Sequence, residues 1–146
     1  MPDNLSYEEW KKQKETEEKN IAIVKTVADA VGEGDAETII SYLHDNLQYM
    51  MMGTTPFSGP RNGKAEFLEL FGDVAAYLDG MIPLDIKNIV ASGDWVVVEA
   101  TGDGKTKTGK SYNNSYCQIW RFEKGLAVEF REYLDTQLVM DVLFKE

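Results

Sequence analysis

The chain has 146 residues, 43% of them hydrophobic and 11% aromatic, and carries a net charge of −10. That length fits one domain, 1–146, with an ordinary core. The acidic balance argues against a nucleic-acid partner, which would want a basic face, and against anionic lipids or strongly anionic substrates. A single cysteine, Cys117, and a single histidine, His44, leave no internal disulfide, no zinc ligand set and no His-dependent nucleophile triad. No apolar run approaches the ~20 residues of a membrane helix, and Met1 to Leu5 lacks a secretory pattern. A cytoplasmic location is therefore expected, with Asn113-Asn114-Ser115 a chance glycosylation match.

The first element is a helix opened by a capping box at Ser6-Tyr7-Glu8-Glu9. Its start is almost wholly charged, so residues 1–20 read as a helical extension. Ile21, Val24, Val27, Ala28 and Val31 then form an apolar stripe at helical spacing. Gly32 and Gly34 end the helix, and Asp35 caps a short second one carrying Ile39, Ile40 and Leu43. Leu47 to Met52 reads as a strand, and Thr54 to Asn62 as a loop. Gly63 precedes a helix with Phe67, Leu68, Phe71 and Val74, ending near Gly80. Strands follow at Ile82 to Ala91, Trp95 to Thr101, Ser111 to Phe122 and Leu126 to Leu134. Turns fall at Ser92-Gly93-Asp94 and Glu123-Lys124-Gly125. Asp135 or Thr136 caps a last helix with Leu138, Val139, Val142 and Leu143. Helices first and a strand meander after predict an α+β fold with an antiparallel sheet.

Gly104-Lys105-Thr106-Lys107-Thr108-Gly109-Lys110-Ser111 matches the phosphate-binding P-loop pattern letter for letter. That motif needs a helix directly after Ser111, whose N-terminal amides hold the phosphates. Tyr112 to Trp120 is aromatic and Asn-rich instead and reads as a strand. The motif is therefore predicted to be a hairpin loop, with no nucleotide partner.

Alternation along the strands sorts side chains between core and solvent. In the last strand Val128, Phe130, Glu132 and Leu134 share the apolar face, so one carboxyl sits among hydrophobes. A carboxyl so placed is paired, protonated or functional. A hydrogen-bonded structural glutamate and a catalytic one are both consistent with this pattern. The aromatic set Tyr112, Asn114, Tyr116, Gln118, Trp120 and Phe122 is assigned inward, bringing Asn114, Tyr116 and Gln118 toward Glu132. The strand of Trp95, Glu99 and Thr101 is ambiguous. With Glu99 inward, two carboxyls would meet and Trp95 and Thr101 would line the pocket. Leu47, Tyr49 and Met51 share one face of the first strand. The opposite sheet face, read as Val96, Val98, Cys117, Ile119 and Tyr133, is apolar enough to predict a homodimer.

Gly34-Asp35 before a short helix, Gly59 and Gly63 before the next, and Arg131-Glu132-Tyr133-Leu134-Asp135 before the last helix resemble the nuclear-transport-factor-like superfamily. It includes ketosteroid isomerases, SnoaL-like polyketide cyclases and limonene epoxide hydrolases. The resemblance implies a cone-shaped α+β barrel, its curved sheet wrapped around the N-terminal helices, with one apolar pocket. Thr108 to Asn113 is similar to the epoxide hydrolases. Of their Tyr-x-Asn and Arg-x-Asp pattern, however, only Tyr49 matches: Met51, Glu99 and Thr101 stand at the other positions. Glu132 matches the last-strand acid, and SnoaL-like cyclases look to that acid as a proton shuttle.

These readings converge on a cofactor-free isomerase, cyclase or dehydratase acting on a small apolar cyclic metabolite by proton transfer. Glu132, Tyr49 and Glu99 are the catalytic candidates. Asn114, Tyr116, Gln118, Trp95, Met51, Phe130, Leu134 and Thr101 are the binding candidates, with no metal site. A ligand-binding protein and a dimerisation module with an unused pocket are the alternatives.

Overall fold

The protein is described by a computed structural model covering residues 4–145; residues 1–3 and 146 of the expected domain lie outside the described residues. Helix α1 (Tyr7–Glu33) opens on the expected capping box. Glu9 N donates to Ser6 Oγ at 3.2 Å, and Ser6 N donates to Glu9 Oε2 at 2.8 Å. It closes at Gly34, whose φ of 72° is a left-handed cap that glycine adopts without a Cβ penalty. The 27 residues run for about 40 Å. The charged first turns and the apolar stripe thus form one continuous helix. Its first three turns are mostly exposed, and Glu17, Asn20, Val24, Val27 and Ala30 make its buried edge.

Glu17 marks where α1 meets the body. Its Oε1 accepts from Gln13 Nε2 at 2.9 Å and from Gly93 N at 3.0 Å, and its Oε2 pairs with Lys14 Nζ at 3.0 Å. Burial pushes this carboxyl up, but the bonds from Gln13, Gly93 and Lys14 together outweigh it and hold the carboxyl below its ordinary value. A depressed folded pKa gives stability that is present above the ordinary carboxylate range and is lost as pH falls through the folded value. We expect Glu17→Ala to cost about 1–3 kcal/mol, because it strands the Gly93 N–H. Urea titration at neutral pH, repeated in acid, measures this; the gap between the two proteins should narrow in acid.

Helix α2 (Ala36–Ser41) is capped by Asp35, whose side chain accepts from Thr38 N. Strand β1 (Leu43–Met51) follows, then β2 (Gly59–Asn62), which forms inside the stretch expected to be loop. Pro60 is tolerated there because β2 is an edge strand, paired only with β1. Helix α3 (Lys64–Ala75) crosses to the meander β3 (Leu84–Ser92) and β4 (Trp95–Gly102). A small separate hairpin, β5 (Gly104–Lys105) with β6 (Ser111–Tyr112), interrupts it before β7 (Ser115–Glu123) and β8 (Leu126–Leu134). Helix α4 (Thr136–Val139) continues as a π-helical turn, Met140–Phe144.

The main sheet has six strands in the order β2-β1-β8-β7-β4-β3. All pairs are antiparallel except β1 beside β8, which is parallel, so the expected wholly antiparallel sheet is not observed there. The expected long strand from Ser111 to Phe122 breaks at Asn113-Asn114. The Asn114 side chain bridges the gap: Oδ1 accepts from Asp135 N at 3.0 Å and Nδ2 donates to Asp135 O at 3.1 Å. The P-loop match is the β5–β6 hairpin, and a strand rather than a helix follows its Ser111. It lacks the helix N-terminus on which phosphate binding rests.

That hairpin clasps the segment joining α3 to β3. Asp79 N donates to Lys105 O at 2.8 Å and Lys107 N to Tyr77 O at 3.1 Å. Ile82 lies directly on two glycines, Gly102 at the end of β4 and Gly104 in the hairpin. A Cβ built on Gly102 or on Gly104 would stand 2.7 Å from an Ile82 side-chain carbon.

Candidate functional site

The concave face of the sheet, α1, α3 and the 76–83 segment enclose a cavity of about 170 Å³. An apolar cavity of ~150 Å³ takes benzene, so this one has room for a single ring with substituents. Its polar groups are few: Glu132, Gln118, and the phenols of Tyr49, Tyr112 and Tyr116. None of the lining residues is Lys, Arg or His.

Strand register brings these groups together. Gln118 of β7 pairs with Glu132 of β8, and Met51 of β1 flanks Glu132 on its other side. Tyr49 donates to Glu132 Oε2 at 3.1 Å, and Gln118 Nε2 donates to Glu132 Oε1 at 3.1 Å. Trp120 Nε1 in turn donates to Gln118 Oε1 at 3.3 Å, which fixes the Gln118 amide with its NH₂ toward the carboxyl. Aromatic packing fixes Tyr49: its ring centroid lies 4.9 Å from that of Phe67 and 5.3 Å from that of Phe130. Phe130 itself stacks on Trp120 at 3.7 Å.

Burial raises the Glu132 carboxyl above its ordinary value; the bonds from Tyr49 and Gln118 oppose that rise without cancelling it. Glu132 as a whole residue is half-buried and lines the cavity. Burial, with the Glu132 charge and hydrogen bond beside it, pushes Tyr49 well above the usual phenol range. Tyr49 thus stays a phenol and a hydrogen-bond donor. The site is a desolvated carboxyl with a locked orientation, able to hold or release a proton.

Of the residues expected here, Glu132, Tyr49, Tyr116, Gln118, Met51, Phe130 and Leu134 line the cavity together. Four do not. Glu99 is exposed on the convex face, with Trp95 and Thr101 on the same side of β4, because Val96, Val98 and Ala100 are the inward set at 0%, 1% and 1% exposure. The pair of carboxyls expected from Glu99 and Glu132 therefore does not form. Trp95 instead sits under the Arg121 and Arg131 guanidinium groups, 5.9 and 5.6 Å from its ring centroid. Asn114 is buried, but all its bonds go to protein: beyond those to Asp135, Ser115 N donates to Oδ1 and Nδ2 donates to Tyr112 Oη. It is not among the lining residues. Burial of Val96 and Val98 also removes them from the convex face expected to form a dimer. Val97 and Trp95 take their place beside Ile119, Cys117 and Tyr133.

Other lining residues were given no role by the sequence. Tyr112 and Trp120 belonged to the inward set by alternation. Phe67 and Phe71 follow from the apolar stripe of α3. Met81 carries no periodic signal, and Ile82, expected to begin the strand Ile82 to Ala91, lies with it in the irregular stretch before β3 starts at Leu84.

A curved sheet wrapped about a long N-terminal helix and closing on an apolar cavity is the nuclear-transport-factor-like architecture. The chain belongs to the SnoaL-like domain family, which it matches over residues 24–130. Among solved structures it is similar to an NTF2-like protein of unknown function from Burkholderia pseudomallei. The two share 22% identity over 87% of this chain and 98% of that one, with a TM-score of 0.79. It is also similar to a protein from Jannaschia provisionally described as a SnoaL-like polyketide cyclase (15% identity, 90% and 95% covered, TM-score 0.76). A third, from Rhodopseudomonas palustris, is provisionally described as an isomerase (20% identity, 80% and 90% covered, TM-score 0.68). No curated protein matches the chain. No helix among the described residues is long and apolar enough to cross a membrane.

Proposed function

We propose that the protein is an enzyme of acid–base proton transfer, an isomerase, cyclase or dehydratase, acting on a small, mostly apolar cyclic metabolite. The observation that carries this reading is Glu132: a carboxyl raised above its ordinary range by burial, held by two donors, in a cavity lined mainly by apolar and aromatic side chains. As the carboxylate it takes a proton from a carbon beside a substrate carbonyl. The C–H bond breaks, the O–H bond forms on Glu132, and the electron pair passes to the carbonyl oxygen. Return of the proton to a second carbon or to oxygen completes an isomerisation. Tyr49 and Gln118 act as positioning residues that aim the carboxyl. An epoxide-hydrolase reading is not supported, because Glu99 and Thr101 lie outside the cavity and its lining has no arginine.

A test is incubation with a panel of small neutral cyclic ketones in D₂O. Deuterium should appear beside the carbonyl faster than in buffer. A panel that shows no exchange, together with a ligand retained in native mass spectrometry, favours a binding protein of the same pocket. We also propose a homodimer built on the convex face through Trp95, Val97, Ile119 and Tyr133, of which Tyr133 is 42% exposed. A monomeric mass in light scattering at high micromolar concentration would refute it.

A further inference from the structure

The wall of the cavity is unevenly tied down. Most of its lining is buried or half-buried, and the lining residues that are exposed fall in one short stretch: Ala75, Gly80 and Met81. Met81 lines the cavity and is also 37% exposed, so its side chain stands between inside and outside. From Gly80 to Pro83 the main chain makes no hydrogen bond among the described residues. The last tie before this stretch is Asp79 N to Lys105 O, and the first after it is the pairing of Leu84 with Gly102. Glycine surfaces support it instead. A Cβ built on Gly34 would meet Met81 Cγ at 3.5 Å and Sδ at 3.6 Å, and one built on Gly32 would meet Pro83 Cα at 3.5 Å. Met81 thus reaches from the α3–β3 connection to the left-handed cap of α1.

We propose that Met81 is the gate of the cavity: ligand enters between the end of α1 and residues 80–83, and the Met81 side chain resting on Gly34 closes that route and limits the width of what passes. Opening breaks apolar contacts only. No hydrogen bond has to be given up, and an unbranched thioether with three rotatable bonds swings aside without disturbing the backbone. Gly80 adds freedom for a larger movement, since its φ is 87° and a Cβ there would meet nothing within 4 Å. Pro83, with φ fixed by its ring, is the stiff end of the same stretch. Charge selects further. The segments that meet here, 26–43 and 65–86, carry Asp29, Glu33, Asp73 and Asp79 but no lysine, arginine or histidine. An approaching anion is repelled before it reaches the gate, whereas a flat neutral ring is not. What the ligand then undergoes inside rests on the proton-transfer reading above; the route in does not.

Fluorobenzene, followed by fluorine NMR exchange, and xenon are suitable probes, because both suit a dry apolar cavity and their binding involves no turnover. A gate sets the rates of entry and exit together, whereas a residue that only forms wall changes exit alone. Met81→Ala should therefore raise the association and dissociation rates of fluorobenzene in parallel, each by about 10-fold, with Kd within about threefold of wild type. Met81→Trp should slow both rates and leave those of xenon, a single atom, almost unchanged. Both substitutions fall at a partly exposed side chain, where the fold tolerates them. A change confined to the dissociation rate, fluorobenzene rates unaltered in either variant, or failure of wild-type protein to bind either probe overturns the gate. Probe rates that shift as expected, with no deuterium exchange into any ketone, would leave the gate standing and sink the proposed function. Exchange with unaltered probe rates would do the reverse.

Discussion

Glu132→Gln should abolish proton exchange into substrate, by 10²–10⁴-fold on the scale of general acid–base catalysis, while the protein stays folded. Glutamine matches the carboxyl in shape, and the neighbouring donors can accommodate it. Its oxygen can accept from Gln118 Nε2, whose orientation Trp120 fixes. Its NH₂ then faces Tyr49, whose hydroxyl can turn to accept. The same substitution should change stability in a pH-dependent way. The Glu132 carboxyl has a higher pKa folded than unfolded, so the folded state binds the proton more tightly. Wild-type stability is then fullest below the ordinary carboxylate range and declines as pH rises through the folded value. The amide variant lacks this decline. At neutral pH and above it should melt higher than wild type, and the advantage should vanish in acid. Each pKa unit of elevation corresponds to about 1.4 kcal/mol, or roughly 3–6 °C in a domain of this size. Parallel melting-temperature profiles against pH for the two proteins would show that Glu132 is not the desolvated acid described.

Val98→Asp should prevent folding, whereas Glu99→Lys, one residue along, should change stability by no more than about 0.5 kcal/mol. Val98 is 1% exposed on the inner face of β4, opposite Gln118, and Glu99 points to solvent opposite Cys117. A lone carboxylate at position 98 would pay several kcal/mol of desolvation with no cation beside it, against a total stability of about 5–15 kcal/mol. Far-ultraviolet dichroism and a dispersed proton spectrum decide it. A folded Val98→Asp protein would mean that β4 tolerates the opposite facing.

This pair of positions also marks where the sequence stops being legible. Trp95-Val96-Val97-Val98-Glu99-Ala100-Thr101 is apolar at both parities, so alternation alone cannot choose a face. What chooses it is the pairing with β7, where Val98 meets Gln118 and Ala100 meets Tyr116. Opposed residues share a face, so once Gln118 is inward Val98 must be. The connection from β4 to β7 hides that register, because it contains the β5–β6 hairpin and the Asn113-Asn114 break. By contrast β7 and β8 are joined by a tight turn, and their polar and apolar positions differ sharply. Glu132, Gln118 and Tyr116 could therefore be placed from the sequence, and the bounds of β8 read correctly. The helix caps at Ser6 and Asp35 were equally plain, since side-chain capping is a local event. One local rule fails at Ala127, which strict alternation with Val128, Phe130 and Glu132 sends to the outer face but which is only 1% exposed. The register shifts between Arg121 and Phe122, and Val128 becomes the extra residue that restores the alternation.

The contact of Ile82 with Gly102 and Gly104 means that the size of the cavity is set partly from outside it. Ile82 is a movable wall panel resting on two bare stretches of backbone. A methyl group at either glycine would claim the space in which Ile82 now rests, 2.7 Å away, so Ile82, itself part of the cavity lining, would have to give way. An alanine at position 102 or 104 would thus behave as a tethered competitor, reducing the room for ligand without touching one. The β5–β6 hairpin, with its misleading phosphate-binding signature, would in this sense be a gauge for what the pocket admits.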